Sequence, residues 1–262
     1  MSDDHRRNDV LLVEDEGPVR VLTLNRPGAR NALSGELVSM LYKTLLAADA
    51  DDSVQALVLT GADPAFCAGV DLKEAAAQGA AYFARFEQED CVHQVALTRK
   101  PVIGAVNGAA FTGGLELALG CDFLVASERA VFADTHARVG ILPGGGLTAR
   151  LPLLVGPGRA RRMSMTGELV DAQLAEHIGL VTEVVPHQRL REHAVALAAA
   201  AAEIPQRTVL VLKRLYEEGA STVVAPALAA EKAAGRAHRP DFESLEQRRV
   251  TVLARNRARL SR

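Results

Sequence analysis

Cysteine is scarce in this chain: three occur among 262 residues, Cys67, Cys91 and Cys121, an odd and widely spaced set with no CxxC pair. Such a set builds neither a disulfide framework nor a zinc knuckle, and it suits a reducing compartment. An excess of charge is missing too. Lys and Arg number 30 against 32 Asp and Glu, for a net charge of −2, so nothing draws the chain generally to nucleic acid or an anionic membrane. Any anionic ligand must therefore be met by local groups. No uninterrupted apolar run is long enough to span a bilayer, and Met1 to Asp9 is polar, with no apolar signal region. We expect a soluble cytoplasmic protein with no nucleic-acid or membrane partner. Metal chemistry is not expected either, since no H-E-x-x-H occurs and His187 and His193 stand six apart. There is no G-x-S-x-G elbow and no P-loop, and Gly144-Gly145-Gly146 lacks the spacing of a dinucleotide fingerprint and reads as a turn before Leu147. Cys67, beside a glycine-rich turn, reads as packing rather than as a nucleophile.

What is present is a hydrophobic content of 48%, ample for a substantial core without staples. Val10 to Glu14 and Val19 to Leu24 are short β-prone runs separated by Asp15-Glu16-Gly17-Pro18, which predicts a hairpin. Ser34 as an N-cap, with Leu37, Leu41, Leu45 and Ala48 at helical spacing, predicts a helix over residues 34–50. A strand over 54–60, a helix over about 80–97, a strand over 102–106, a short helix from Gly113 and strands over 123–126 and 130–132 continue the alternation, which argues for an α/β core. From Gln188 onward the composition is Ala, Leu, Glu and Arg, interrupted by Pro205, Gly219, Pro226 and Pro240, and predicts consecutive helices. The division is thus a tail over 1–9, a core over 10–187 and a helical C-terminal subdomain over 188–262. The Arg-dense segment Arg248 to Arg262 reads either as a solvated helix face or as a cap over an anionic ligand.

Two loops do not look like ordinary connections. Gly61 to Glu74 and Asn107 to Glu116 each follow a strand and place small residues where a helix begins. Small side chains let a ligand approach the backbone, and the first N–H groups of a helix have no internal partner. Two such loops, if they converge, form an oxyanion hole for a carbonyl oxygen that gains negative charge during reaction.

The run Ala65-Phe66-Cys67-Ala68-Gly69-Val70-Asp71-Leu72-Lys73, with Asn107-Gly108, Gly113-Gly114-Leu115-Glu116-Leu117-Ala118 and Cys121-Asp122, resembles the enoyl-CoA hydratase/isomerase (crotonase) family. Leu24-Asn25-Arg26-Pro27, Asn31-Ala32-Leu33 and Gly140-Ile141-Leu142-Pro143-Gly144-Gly145-Gly146 match as well, so that the likeness covers about residues 10 to 260. It implies a spiral of repeated ββα units followed by helices that mediate trimerisation, with trimers often paired as hexamers. It further implies an acyl-CoA thioester as substrate, coenzyme A entering as part of that substrate, and no tightly bound cofactor. Residue by residue, the oxyanion-hole amides fall on Val70 and Gly113. The nucleotide end of coenzyme A falls near Ala29, Ala68, Asp71, Leu72 and Lys73, with Arg255 close to its phosphates.

Hydration of the C2=C3 bond of a trans-2-enoyl-CoA needs a base to activate water at C3 and an acid to protonate C2. Glu116, one turn into the helix that starts at Gly113, matches the first of the two carboxylates the family commonly uses. His136 stands where the second glutamate is expected. Imidazole can give or take a proton near neutral pH, so His136 either shares in proton transfer or only shapes the cavity, and Asp134 is a reserve carboxylate. Retention of Glu116 favours a hydratase. The alternatives are an isomerase, a decarboxylase, a thioester hydrolase, or an acyl-CoA binding protein without turnover.

Overall fold

The computed structural model describes residues 10–238 and 242–260. Strands β1 (Leu11–Glu16) and β2 (Val19–Leu24) form the predicted antiparallel hairpin, with Leu11 opposite Leu24 and Glu16 opposite Val19. Helix α1 (Gly35–Ala50) starts at Ser34, whose hydroxyl accepts the Leu37 N–H at 3.3 Å. Its buried stripe of Leu37, Val38, Leu41 and Leu45 anchors it, each such side chain contributing ~1.5–3 kcal/mol on leaving water.

Three strand pairs follow: β3 (Ala56–Gly61) with β4 (Ala65–Cys67), β5 (Val102–Val106) with β6 (Ala109–Phe111), and β7 (Phe123–Ser127) with β8 (Val131–Ala133). Two later strands are β9 (Val170–Asp171) and β10 (Glu183–Val185). The first strand of each pair joins a six-stranded sheet of order β1-β2-β3-β5-β7-β10, and the second joins a four-stranded sheet of order β4-β6-β8-β9. Pairing is parallel from β2 to β7 and from β4 to β8. Helices separate the pairs: α2 (Leu72–Gln78), α3 (Ala80–Gln88) and α4 (Cys91–Leu97) after the first, α5 (Gly113–Leu119) after the second, and α6 (His136–Val139), α7 (Leu147–Val155), α8 (Pro157–Thr166) and α9 (Ala172–His177) after the third. Each turn of chain thus adds one strand to each sheet, and the α/β spiral of ββα units is the result.

Alternation along the strands divides the core. Val19, Val21, Val58, Ile103 and Val125 face α10 (Leu190–Ala202) through its Leu190, Ala194 and Ala198, while Leu22, Leu24, Leu57 and Leu59 face α1 and Phe66 and Phe132 of the small sheet. The predicted helix over 80–97 is two helices, because the Asp90 carboxylate accepts the His93 N–H at 2.9 Å and caps α4. Helix α11 (Gln206–Ala237) runs on through Gly219 and Pro226, expected as interruptions. Both lie on exposed stretches, where water can satisfy the carbonyl that a proline leaves without a partner. Pro205 does mark a break, and α12 (Phe242–Leu260) is the last described element. The expected tail over 1–9 and Pro240 lie outside the described residues. Among the described residues no single helix is long and apolar enough to cross a membrane.

Candidate active site

Beyond β4 the chain turns back beside Leu33. The Leu33 N–H donates to the Gly69 carbonyl at 2.8 Å and the Asp71 N–H to the Leu33 carbonyl at 3.4 Å, an isolated parallel bridge that turns the Val70 N–H to the opposite side. Buried Tyr82 of α3 clamps this bridge, its hydroxyl donating to the Leu33 carbonyl and accepting the Asp71 N–H at 3.1 Å.

The second loop meets the first at Thr112, whose backbone has φ +51° and whose hydroxyl reaches the Ala68 carbonyl at 3.2 Å. A non-glycine residue in that region carries strain that its surroundings must hold; here the Thr112 N–H donates to the Ala133 carbonyl at 3.0 Å. Gly113 opens α5, so its N–H has no acceptor within the helix. Gly69, at φ +88°, permits the close approach: a Cβ there would lie 2.0 Å from the Thr112 hydroxyl and 2.9 Å from the Gly113 nitrogen. Neither the Val70 nor the Gly113 N–H donates a hydrogen bond among the described residues.

A cavity of about 350 Å³ opens beside these loops, lined by Ala68, Val70, Leu72, Phe111, Thr112, Thr135 and Ile141 and covered by Val252, Leu253 and Asn256 of α12. Of the residues predicted to meet coenzyme A, Ala68 and Leu72 border this cavity, while Ala29, Asp71 and Lys73 do not. The Asp71 carboxylate instead caps α2, accepting the Lys73 and Glu74 N–H groups at 3.2 Å, and pairs with Arg26 at 2.9 Å. Arg255 donates to the Gly167 and Thr166 carbonyls at 3.2 Å and borders a separate cavity of about 180 Å³ with Arg138 and Arg248.

Glu116 and His136 are both buried, and they do not border the larger cavity, although their neighbours Thr112 and Thr135 do. The Glu116 Oε2 lies 3.5 Å from the His136 Nε2. The other carboxylate oxygen accepts N–H groups of Gly144 at 3.1 Å, Gly145 at 2.7 Å and Leu147 at 3.4 Å. Burial pushes the Glu116 carboxyl above its ordinary range, against the pull of His136 and of those N–H groups, and Glu231 adds to the rise. The Asp134 Oδ1 lies 2.7 Å from the ring Nδ1 of His136 and accepts the His136 backbone N–H at 3.1 Å. Burial pulls the His136 imidazole down, but the Glu116 and Asp134 carboxylates outweigh it and the net direction is up. Asp134 is pushed up by burial and more strongly down by His136, by the Ser164 hydroxyl and by the His136 N–H, for a net fall.

Sequence reasoning left three contributors without a place in the site. Asp134, held in reserve, faces His136 directly. Gly144 to Gly146, read as a turn within a family-like stretch but given no role at the site, present N–H groups to carboxylates, and a Cβ on Gly145 would stand 2.5 Å from Val92 and 3.1 Å from the Glu116 carboxylate. Glu231, 85 residues beyond Gly146, accepts the Gly146 N–H at 2.6 Å and the Thr148 N–H at 2.8 Å, which ties α11 to the start of α7. Nothing local in sequence marks that residue.

Two nucleophile candidates fail on access. Cys67 is fully buried, and burial pushes its thiol up to about 12. Ser127, His187 and Asp63 line up at 2.9 Å each, yet Ser127 is fully buried and also accepts the Arg129 N–H at 3.0 Å, so the trio fastens the ends of β3, β7 and β10 together. Among the described residues no three His, Cys, Asp or Glu side chains are grouped to hold a metal ion.

Comparison with known proteins agrees with this architecture. The family model described as enoyl-CoA hydratase/isomerase matches residues 14–241. The 2,3-dehydroadipyl-CoA hydratase of Escherichia coli (strain K12) is 37% identical over 222 residues, covering 85% of this chain and 87% of its own. The mitochondrial enoyl-CoA hydratase of Pongo abelii is 42% identical over 195 residues, 72% of this chain and 67% of its own. The crystal structure of enoyl-CoA hydratase from Mycobacterium tuberculosis H37Rv superposes with a TM-score of 0.81 at 48% identity, over 88% of this chain and 99% of that one. With the match running through both loops, Glu116 and the Gly144 turn, the chain belongs to the enoyl-CoA hydratase/isomerase family.

Proposed function

We propose that this protein hydrates trans-2-enoyl-CoA thioesters. The observation that carries the reading is the buried Glu116–His136 pair, 3.5 Å apart, in a chain whose Val70 and Gly113 N–H groups have no acceptor among the described residues. On this reading the thioester oxygen accepts from those two amides. Glu116 takes a proton from water as the oxygen bonds to C3, electron density moves onto the thioester oxygen, and His136 returns a proton to C2. Donors fixed in place before charge develops make the largest contribution in such sites, ~3–4 kcal/mol for each. A raised carboxyl suits a base working near neutrality. The names of the relatives support the same reaction, since those cited are hydratases of enoyl-CoA or dehydroadipyl-CoA.

The substrate brings its own coenzyme A, and no further cofactor enters the reaction. The nucleotide end would lie along Ala29, Ala68 and Leu72, where Asp71 and Lys73 shape the start of α2. Arg255, bound to carbonyls at the end of α8, would reach phosphates only by exchanging those bonds. Exposed Leu212, Leu215, Tyr216 and Val223 on α11 support assembly into trimers, singly or paired. Three free cysteines are in keeping with a reducing cytoplasm. The test is Glu116→Gln on a panel of enoyl-CoAs: loss of turnover by ~10²–10⁴, the range for a proton-transfer group, supports the assignment, and full activity overturns it.

A further inference from the structure

Resting on the hydratase reading, we infer that Asp134 is a positioning residue that holds His136 as an imidazolium ion, which makes His136 the acid toward C2 and Glu116 the base toward water. Both ring nitrogens face carboxylate oxygens: Nδ1 is 2.7 Å from Asp134 Oδ1 and Nε2 is 3.5 Å from Glu116 Oε2. A neutral imidazole carries one N–H and one lone pair. With Nδ1 bonded to Asp134, the neutral form would turn the Nε2 lone pair toward the Glu116 carboxylate, which has no hydrogen to offer unless it is itself protonated. The doubly protonated ring satisfies both neighbours at once.

Asp134 is built to stay ionised. It is buried, it accepts the backbone N–H of His136 at 3.1 Å on the oxygen that takes Nδ1, and the Ser164 hydroxyl of α8 supports it. Other charges nearby do not cancel the arrangement. Glu231 from α11 adds a negative charge that favours the imidazolium. Arg150 of α7 donates to the Gly145 carbonyl at 2.8 Å, on the Glu116 and Glu231 side. Arg138 of α6 itself reaches away to the Thr166 carbonyl, and Arg248 of α12 sits against Gly140 at the far end of α6.

The proton balance closes within the site. Water gives H⁺ to Glu116 and HO⁻ to C3; the C2=C3 electron pair moves through the thioester and returns to C2, where it takes H⁺ from His136 Nε2. That leaves a neutral histidine facing a protonated glutamate across the same contact, and transfer of that proton from Glu116 to Nε2 restores the starting state. A histidine at the position of the second glutamate therefore keeps an acid there, now as a cation beside a forming anion.

Two measurements test this. Nitrogen NMR of ¹⁵N-histidine-labelled protein reports the ring state without any turnover: both His136 nitrogens should read as protonated through neutral and mildly alkaline pH, and a neutral ring at neutral pH overturns the charge assignment. In Asp134→Asn the ring should deprotonate at lower pH, the alkaline limb of kcat/KM should move down in step, and kcat should fall by ~10²–10⁴ with KM far less affected. A lower kcat with the alkaline limb unmoved would make Asp134 merely structural and overturn the proposal. The spectrum judges the ion even if no enoyl-CoA is hydrated, so a failure of the hydratase reading is seen separately.

Discussion

Replacing Gly69 with alanine would put a methyl group where the two glycine-flanked loops are closest. The residue sits at φ +88°, and the new Cβ would lie 2.0 Å from the Thr112 hydroxyl, 2.8 Å from the Phe111 carbonyl and 2.9 Å from the Gly113 nitrogen. The threonine side chain can rotate, but the carbonyl and the amide are backbone and must shift. Left-handed geometry costs an L-residue ~1–2 kcal/mol, and relieving an overpacked contact costs ~1–3 kcal/mol. A total of about 2–5 kcal/mol lies within the margin of an ordinary domain, so the variant should still fold. On the proposed reading the Gly113 N–H would no longer converge with that of Val70, and loss of one such donor lowers kcat by ~10²–10³. Turnover of an enoyl-CoA, followed with thermal unfolding on the same samples, checks this against Gly158→Ala, an exposed helical position where a Cβ meets nothing within 4 Å. A folded Gly69→Ala enzyme with unchanged kcat would refute the convergence of the two amides.

Other outcomes follow from the charges around Glu116. With Glu116 as base and His136 as acid, as proposed, the base must be ionised and the acid protonated, so activity should rise as pH climbs through the elevated carboxyl value and fall as pH passes the elevated imidazole value. The bell in kcat/KM would thus have both limbs displaced upward, as macroscopic values of the pair. Since Glu231 raises both groups, Glu231→Gln should move both limbs to lower pH together, and a shift of only one limb would contradict the placement of that charge. Tyr82→Phe removes the hydroxyl that joins the Leu33 carbonyl to the Asp71 N–H. With the hydroxyl gone, only the long 3.4 Å bond from the Asp71 N–H to the Leu33 carbonyl remains there, which should cost ~1–3 kcal/mol in denaturant unfolding and lower kcat more than it raises KM.

How much of this was legible in the sequence depends on whether the signal was local. The hairpin, α1 with its Ser34 cap and strand β5 were readable from local signals: a turn between two β-prone runs, a cap before an apolar helical stripe, and a short apolar run. Strand β4 is three residues long and leaves almost no periodicity to see, and α2, though made of good helix formers, is seven residues long with Ala75 as its one buried residue and shows no apolar stripe. The continuation of α11 through Pro226 was hidden because solvent exposure, which a sequence does not print, decides whether the lost hydrogen bond matters. At the site, the motifs pointed to Val70, Gly113, Glu116 and His136 as candidates; the contact of Asp134 with Nδ1 spans only two residues but depends on the backbone turn at Thr135, whereas the reach of Glu231 from α11 is a long-range fact. Asp71 and Lys73 sat in the right motif, yet Asp71 is spent on capping α2.

The most direct measurement is to incubate the purified protein with trans-2-enoyl-CoAs of several chain lengths and weigh the products. We predict a gain of one water on at least one of them, abolished by Glu116→Gln. Tight binding with no change in mass, or a product of unchanged mass with a moved double bond, would contradict the account.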